Sequence, residues 1–168
     1  GGPGILSADR AEREGLSVPR LSAELQAELR PHLAASASTL NPVDMIASAP
    51  AAQYEACLQR LLASAEVDLV LVMFIPPLVT AAPDVARAIL AARRATDGSK
   101  PLLACLMGER EQAPWLDELE QGGIPTFRFP EDAVLTLAQL KRYRDWRQQE
   151  RGQIVHLEGV QAEPAREL

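Results

Sequence analysis

The residues best placed to do chemistry open the chain. Gly1-Gly2-Pro3-Gly4 runs directly into an apolar helical pattern, Ile5-Leu6 through Ala8 and Ala11. Glycines leading into a helix let an anion approach bare backbone N–H groups, and the helix N-terminus adds roughly half a positive charge at that spot. The chemistry this permits is the holding of a phosphate, so Gly1, Gly2 and Gly4 are candidate phosphate-binding residues. A chain normally reaches such a turn from a β-strand, and Gly1 is the first residue here. The sequence therefore reads as a piece of a larger protein whose function belongs to the whole.

Three other segments fall where an open α/β sheet binds ligands, at the carboxyl ends of its strands. Asn41-Pro42-Val43-Asp44 is a stiff turn, because proline fixes its own φ and extends the residue before it. Pro76-Pro77 follows the strongest strand pattern, and Gly108-Glu109 follows the next. Asn41, Asp44, Pro76, Pro77, Gly108 and Glu109 are thus candidate site-loop residues. Against this stands the plain reading that glycine and proline make turns wherever they occur.

Few side chains could act as acid, base or nucleophile. His32 follows Pro31 near a helix end, and His156 lies in the tail. Neither has a partner for a catalytic constellation, and neither is expected to be catalytic. Asp9, Asp44 and Glu109 are possible acids, in positions that equally suit helix faces, turns and loops. No Ser-His-Asp, His-rich or paired-carboxylate arrangement stands out, and no metal site is expected. Cys57 and Cys105 have neither CxxC spacing nor a histidine nearby in sequence, which points to buried thiols in a reducing, cytoplasmic compartment.

These residues need a scaffold, and 168 residues suffice for one domain with a complete core. The net charge of -6 argues against a nucleic-acid partner. Lys141-Arg142 with Arg144 and Arg147 reads as a solvated helix face. The longest apolar run, Val67 to Val79, is too short to span a membrane and is broken by Pro76-Pro77. Helices are expected over Ile5–Glu14, from Ser22 as N-cap to Pro31, over Ala51–Ser64, Pro83–Ala95, Glu111–Glu120 and Glu131–Gln149. Leu16–Leu21 reads as a short extended segment. Val67–Phe74 is apolar on both faces, as a central parallel strand should be. Pro101–Cys105 and Ile124–Phe129 are further strands. The alternation β-α-β-α-β-α implies a three-layer α/β fold, a parallel sheet with helices on both faces. Residues 1–149 form this domain, and 150–168 a linker or tail in which Ile154-Val155-His156-Leu157 could be a further strand.

Taken together, the segments resemble a known family. Gly1-Gly2-Pro3-Gly4-Ile5-Leu6-Ser7-Ala8-Asp9, then Asn41-Pro42-Val43-Asp44-Met45, then Val67 through Pro77 look like the nucleoside-diphosphate-forming, or ADP-forming, acyl-CoA synthetases. Lys100-Pro101-Leu102-Leu103-Ala104, Gly123-Ile124-Pro125 and Phe129 through Val134 continue the pattern in order, so that it covers residues 1 to 146. The domain is also similar to the carboxy-terminal, flavodoxin-like domain of the succinyl-CoA synthetase β chain. The resemblance implies that acyl-CoA, ADP and phosphate give acid, CoA and ATP through a phosphohistidine held between the N-termini of two helices. The helix starting near Gly4 matches one of these.

The resemblance also implies what this stretch does not carry. The family's histidine lies upstream, in a neighbouring CoA-ligase domain, and neither His32 nor His156 matches it. The Rossmann CoA-binding domain and the ATP-grasp domain or subunit lie elsewhere. CoA, ADP/ATP and Mg are expected in the complete enzyme, with no cofactor bound by this domain alone, and a homodimer stays open. The strand that feeds the glycine turn is absent, so the sheet lacks its first strand. An upstream segment, a second chain, or Ile154–Leu157 would have to fill that slot. Two other readings remain: a regulatory CoA-ligase-like region of a protein lysine acetyltransferase, and a non-enzymatic flavodoxin-like binding module.

Overall fold

The computed structural model describes residues 1–76, 80–108, 113–150 and 152. Three parallel strands make its sheet: β1 (Val70–Phe74), β2 (Leu102–Leu106) and β3 (Thr126–Phe127), in the order β1-β2-β3. Val70 stands opposite Leu102 and Phe74 opposite Leu106, while Ala104 stands opposite Thr126. Parallel neighbours need a crossover, and helices α4 (Ala82–Arg94) and α5 (Pro114–Gln121) make the two crossovers.

The period of two along the strands sorts the core into two faces. Val70, Val72 and Phe74 of β1, with Leu102, Ala104 and Leu106 of β2, pack against α3 (Ala51–Ala63), α4 and α5. Leu71 and Leu103 turn the other way, toward α1 (Gly2–Arg13) and α6 (Pro130–Gln148), where Ala11, Val134, Leu137 and Ala138 are buried. Helices on both faces of a parallel sheet make the three-layer α/β fold that the element order implied. A smaller core forms where α2 (Ala23–Leu29) lays Leu25 and Leu29 on Cys57 of α3. Ser22 starts α2: its Oγ accepts the Leu25 N–H at 3.1 Å and donates to Glu66 at 2.7 Å.

Several elements differ from the sequence expectation, each for a physical reason. Helix α1 begins at Gly2, not Ile5, with Gly1 as its N-cap. Proline is at home in a first turn, where its missing N–H would have had no partner, so Gly2-Pro3-Gly4 joins the helix instead of leading into it. Leu16–Leu21 forms no strand, and Leu21 turns inward onto the α2 core instead. Strand β1 stands at the edge of the described sheet, not inside it. Its apolar residues are nonetheless covered above and below by helices, which is why both faces read as apolar. The tail residues Ile154–Leu157, including His156, and the start of the expected helix at Glu111 lie outside the described residues.

The packing predicts a contrast between two large apolar residues. Ile89 of α4 is fully buried, whereas Trp146 of α6 is 64% exposed. Ile89→Ala should destabilise the chain by about 2–5 kcal/mol through lost burial and the cavity left behind. Trp146→Ala should change stability by only about 0.5 kcal/mol. Urea unfolding of the two variants checks this; equal midpoints would mean the α4 core is not as described.

Cys57 adds a pH dependence. Burial pushes its thiol up to about 11, against a smaller opposite pull from Arg60 and Arg30. The unfolded chain releases that proton near pH 8.5–9. Between there and about pH 11 the folded state binds the proton that the unfolded state has lost, so stability falls as pH rises through this window. The stability gap between the parent and Cys57→Ala should therefore be constant below about pH 8.5 and narrow toward pH 11. Denaturant midpoints measured across this range test it, and a gap that stays constant to pH 11 would contradict it.

Candidate phosphate-binding site

The site is built from the first turn of α1. An α-helix leaves its first N–H groups without intrahelical partners, and α1 has no side-chain cap to satisfy them. Ile5 N–H is the first to bond back, donating to the Gly1 carbonyl at 3.1 Å. Pro3 has no N–H, so the donors left at this end are those of Gly2 and Gly4, with the nitrogen of Gly1 beside them. Gly1 and Gly2 are exposed. The helix is pinned by Ser7, one turn further on, which is buried. Its hydroxyl lies 2.8 Å from the Pro3 carbonyl and 3.3 Å from Met73 Sδ on β1.

The loop carrying Asn41 and Asp44 closes over the same end. Ser38 and Asp44 pair through two backbone hydrogen bonds of 2.9 and 3.1 Å, which shape residues 38–44 into a tight excursion. The Asn41–Pro42 peptide within it is cis. Asp44 Oδ1 accepts the Ile46 N–H at 3.0 Å, and Oδ2 stands 3.4 Å from the Gly1 nitrogen. A Cβ at Gly1 would come within 2.9 Å of that oxygen, so the carboxylate sits hard against the N-cap. An acidic side chain there complements the helix dipole.

Beside this end opens a cavity of about 340 Å³. Gly1, Gly4, Asn41, Asp44 and Tyr54 line it together with the apolar Leu58, Leu61, Val67 and Leu69. Consecutive residues of β1, Val70 through Met73, also line it. Neighbouring residues of a strand point to opposite faces, so only the strand's unpaired edge can present all of them to one cavity. Leu21 lines it as well.

The sequence-predicted residues thus divide into two groups. Gly1, Gly4, Asn41 and Asp44 meet at one cavity. Gly2 stands at the same helix end but points away from the protein, with nothing within 4 Å of where its Cβ would be. Gly4 has only ordinary contacts with Pro42 and Met73 at 3.7 and 3.8 Å, so a side chain at either glycine would leave the described fold intact. Pro76 and Gly108 meet each other instead: Gly108 has φ +135°, and a Cβ there would stand 3.2 Å from Pro76 Cγ. Neither lines the cavity. Pro77 and Glu109 lie outside the described residues. His32 ends a short 3-10 turn, Arg30–His32, away from the cavity. Among the described residues no group of three or more His, Cys, Asp or Glu could hold a metal ion.

Two contributors were not singled out in the sequence. Tyr54 reads there as one apolar position of an amphipathic helix, and Ser7 enters only as part of the stretch Gly1 to Asp9. For Tyr54 a signal was present: a phenol on a buried helix face brings an O–H that needs a partner.

Comparison with known proteins adds a frame for this geometry. Residues 1–151 match the Ligase-CoA domain family. The chain is 37% identical over 136 residues to the alpha subunit of ADP-forming acetate–CoA ligase II of Pyrococcus furiosus, a match covering 80% of this chain and 30% of that protein. It is 27% identical over 154 residues to the ADP-forming 4-hydroxybutyrate–CoA ligase of Nitrosopumilus maritimus, covering 92% of this chain and 22% of that one. Among solved structures, the dinucleotide-forming acetyl-coenzyme A synthetase 1 of Candidatus Korarchaeum cryptofilum, in complex with phosphate and ADP, superposes with a TM-score of 0.80 at 27% identity. That superposition covers 87% of this chain and 32% of the other. The chain thus spans between 22% and 32% of the length of these proteins. No helix among the described residues is long and apolar enough to cross a membrane.

Proposed function

Because the chain belongs to the Ligase-CoA domain family, we propose that it works as the flavodoxin-like domain of an ADP-forming acyl-CoA synthetase. In this reading acyl-CoA, ADP and phosphate are converted to acid, CoA and ATP, with a phosphohistidine carrying the phosphoryl group between the two half-reactions. The N-terminus of α1 holds that group. The histidine belongs to a neighbouring CoA-ligase domain, and the CoA and nucleotide sites to Rossmann and ATP-grasp domains or subunits. Mg belongs with the nucleotide in the complete enzyme. The burial of Cys57 and Cys105 suits a cytoplasmic protein.

One observation carries the reading. The first turn of α1 is uncapped by any side chain, and its outermost glycine opens onto empty space. Backbone N–H groups in such a turn suit phosphate oxygens, with the helix dipole aligned to help. The chain's own chemistry is then binding and orientation. It lowers the energy of a transferring phosphoryl group by donors that are already in place and need no rearrangement. The chain supplies no nucleophile and moves no proton. The relatives named above are ADP-forming CoA ligases, and the solved one is described in complex with phosphate and ADP.

Gly2→Val is the discriminating variant. Its side chain would meet nothing of this chain, so the fold should be unchanged, while an anion's approach to the first turn would be blocked. In the complete enzyme, phosphohistidine formation from labelled ATP should slow about a hundredfold, the effect of losing one preorganised anion contact of about 3 kcal/mol. Unchanged yield and rate would reduce the turn to a connector. A parent enzyme that forms no phosphohistidine would favour the acetyltransferase reading and end this one.

A further inference from the structure

Helix α6 outruns the core it packs on. Its last buried residue is Ala138, and residues 139–148 follow it in the same helix. At 1.5 Å per residue they add about 15 Å. This segment sorts its side chains by face. Gln139, Arg142, Tyr143 and Trp146 recur at the spacing of one helix face, and all four are exposed. Tyr143 and Trp146 stack on each other there, with centroids 5.8 Å apart and planes at 29°. They are 57% and 64% exposed. The charges divide in the same way. Asp145, the segment's one acidic residue, is half-buried on the other side and is held by Lys141 and Arg144. On the outer face Arg142 has only a 3.6 Å approach to Glu14, which Arg10 already holds at 2.8 Å. Arg147 flanks the rings from the other side and forms no ion pair with any described residue. The outer face therefore carries two aromatic rings between two arginines and no carboxylate.

We infer that this face docks an acidic protein surface of another domain of the complete enzyme, with carboxylates meeting Arg142 and Arg147 around an apolar pocket that takes Trp146. Trp, Tyr and Arg are the residues that carry most of the energy where proteins meet. Covering the rings removes apolar area from water, and guanidinium groups without acids of their own take carboxylates from the covering surface. Charge decides against a second copy, because two such faces would set Arg142 and Arg147 against their own kind. Nucleic acid fits less well: the chain carries a net charge of -6, and the two rings stack on each other instead of standing apart to receive a base. The inference rests on the reading of this chain as one domain of a larger ligase, since it spans only 22% to 32% of the relatives named above. The position of the face suits an anchor. Arg144 of the same segment reaches Asp68, which precedes β1, at 3.9 Å, so these turns stand at the amino edge of the sheet. A domain held there leaves the first turn of α1 uncovered.

A photoreactive phenylalanine analogue in place of Gln139 tests this in the complete enzyme, because it lies on the face and leaves both rings and both arginines intact. Irradiation followed by mass spectrometry should link position 139 to an acidic segment of another domain. Trp146→Ala and Arg147→Glu should each lower the yield of that link about tenfold, as truncating an interface hot spot does. Both side chains are exposed in the domain, so neither change should unfold it. No link overturns the proposal, as does a link to residues 151–168, to a second copy or to nucleic acid. A link whose yield both variants leave at the parental level overturns it too. Phosphohistidine formation measured in the same preparations keeps the two levels of inference apart. An enzyme that forms phosphohistidine and no link loses the docking face alone. An enzyme that forms the link and no phosphohistidine keeps the docking face and loses the ligase reading.

Discussion

A strand in a parallel sheet has hydrogen-bonding groups on both edges, and burying one edge unpaired is costly. Strand β1 is paired with β2 on one side only among the described residues. The rest of the arrangement follows from that constraint. Val70 through Met73 of β1 line a cavity along that edge. Helix α1 is held to β1 by Ser7 against Met73. The loop of residues 38–44 closes the end of the cavity, and its Asp44 meets α1 there. The open edge and the first turn of α1 are thus two ends of one space.

Parallel topology also explains why the donors gather where they do. Each helix that follows a strand in this chain starts at the strand's carboxyl end and runs back. The N-termini of α4, α5 and α6 therefore lie along one edge of the sheet, and α1 and α3 begin beside a shared cavity, which Gly1 and Tyr54 line. None of these five helices has a side-chain cap. Four of them have proline in the first two positions, which removes one orphan donor without supplying an acceptor. The backbone donors of these turns face one edge, where acidic side chains (Asp84, Asp117, Glu131 and Asp132) stand in the first turns of α4, α5 and α6 and complement the helix dipoles. Helix α2 is the exception: it stands at the far side of α3, and Ser22 and Glu66 cap it.

Much of this was legible in the sequence, and the reason is the period of its apolar residues. Tyr54, Leu58 and Leu62 recur at helical spacing, and the structure buries all three against one face of the sheet. Leu102 through Leu106 is apolar throughout and is buried throughout. The boundaries were less legible. Gly2-Pro3-Gly4 carries turn residues whose conformational freedom hides that they can equally make a first helical turn. Leu16–Leu21 has strand-like residues, but a strand exists only with a neighbour, and local sequence does not encode a neighbour's presence. At the site, Asn41 and Asp44 could be placed beside the glycines because a stiff turn before α3 must lie at the same sheet edge. Pro76 and Gly108 share that edge, yet they pack on each other. Which loops of one edge actually meet is decided by side-chain contacts across the sheet, and no spacing in the chain records those contacts.

The location of the first turn of α1 also bears on how strongly it can act. Gly1 and Gly2 are in contact with solvent, and Ile5 and Leu6 beside them are 61% and 62% exposed. In bulk water two unit charges 4 Å apart gain only about 1 kcal/mol, and at the dielectric of a protein surface about 4. An uncovered helix end is therefore a weak anion site, whatever its geometry. The same donors become strong when water is excluded, since their orientation is already fixed. Ile5 and Leu6 set an apolar surface beside the donors, of the kind that favours the removal of water once another surface covers it. The domain thus carries the orientation of the site, while the strength of that site depends on what is placed over it. Under the proposed function, the first turn of α1 would supply preset donors that become strong only once another surface covers them.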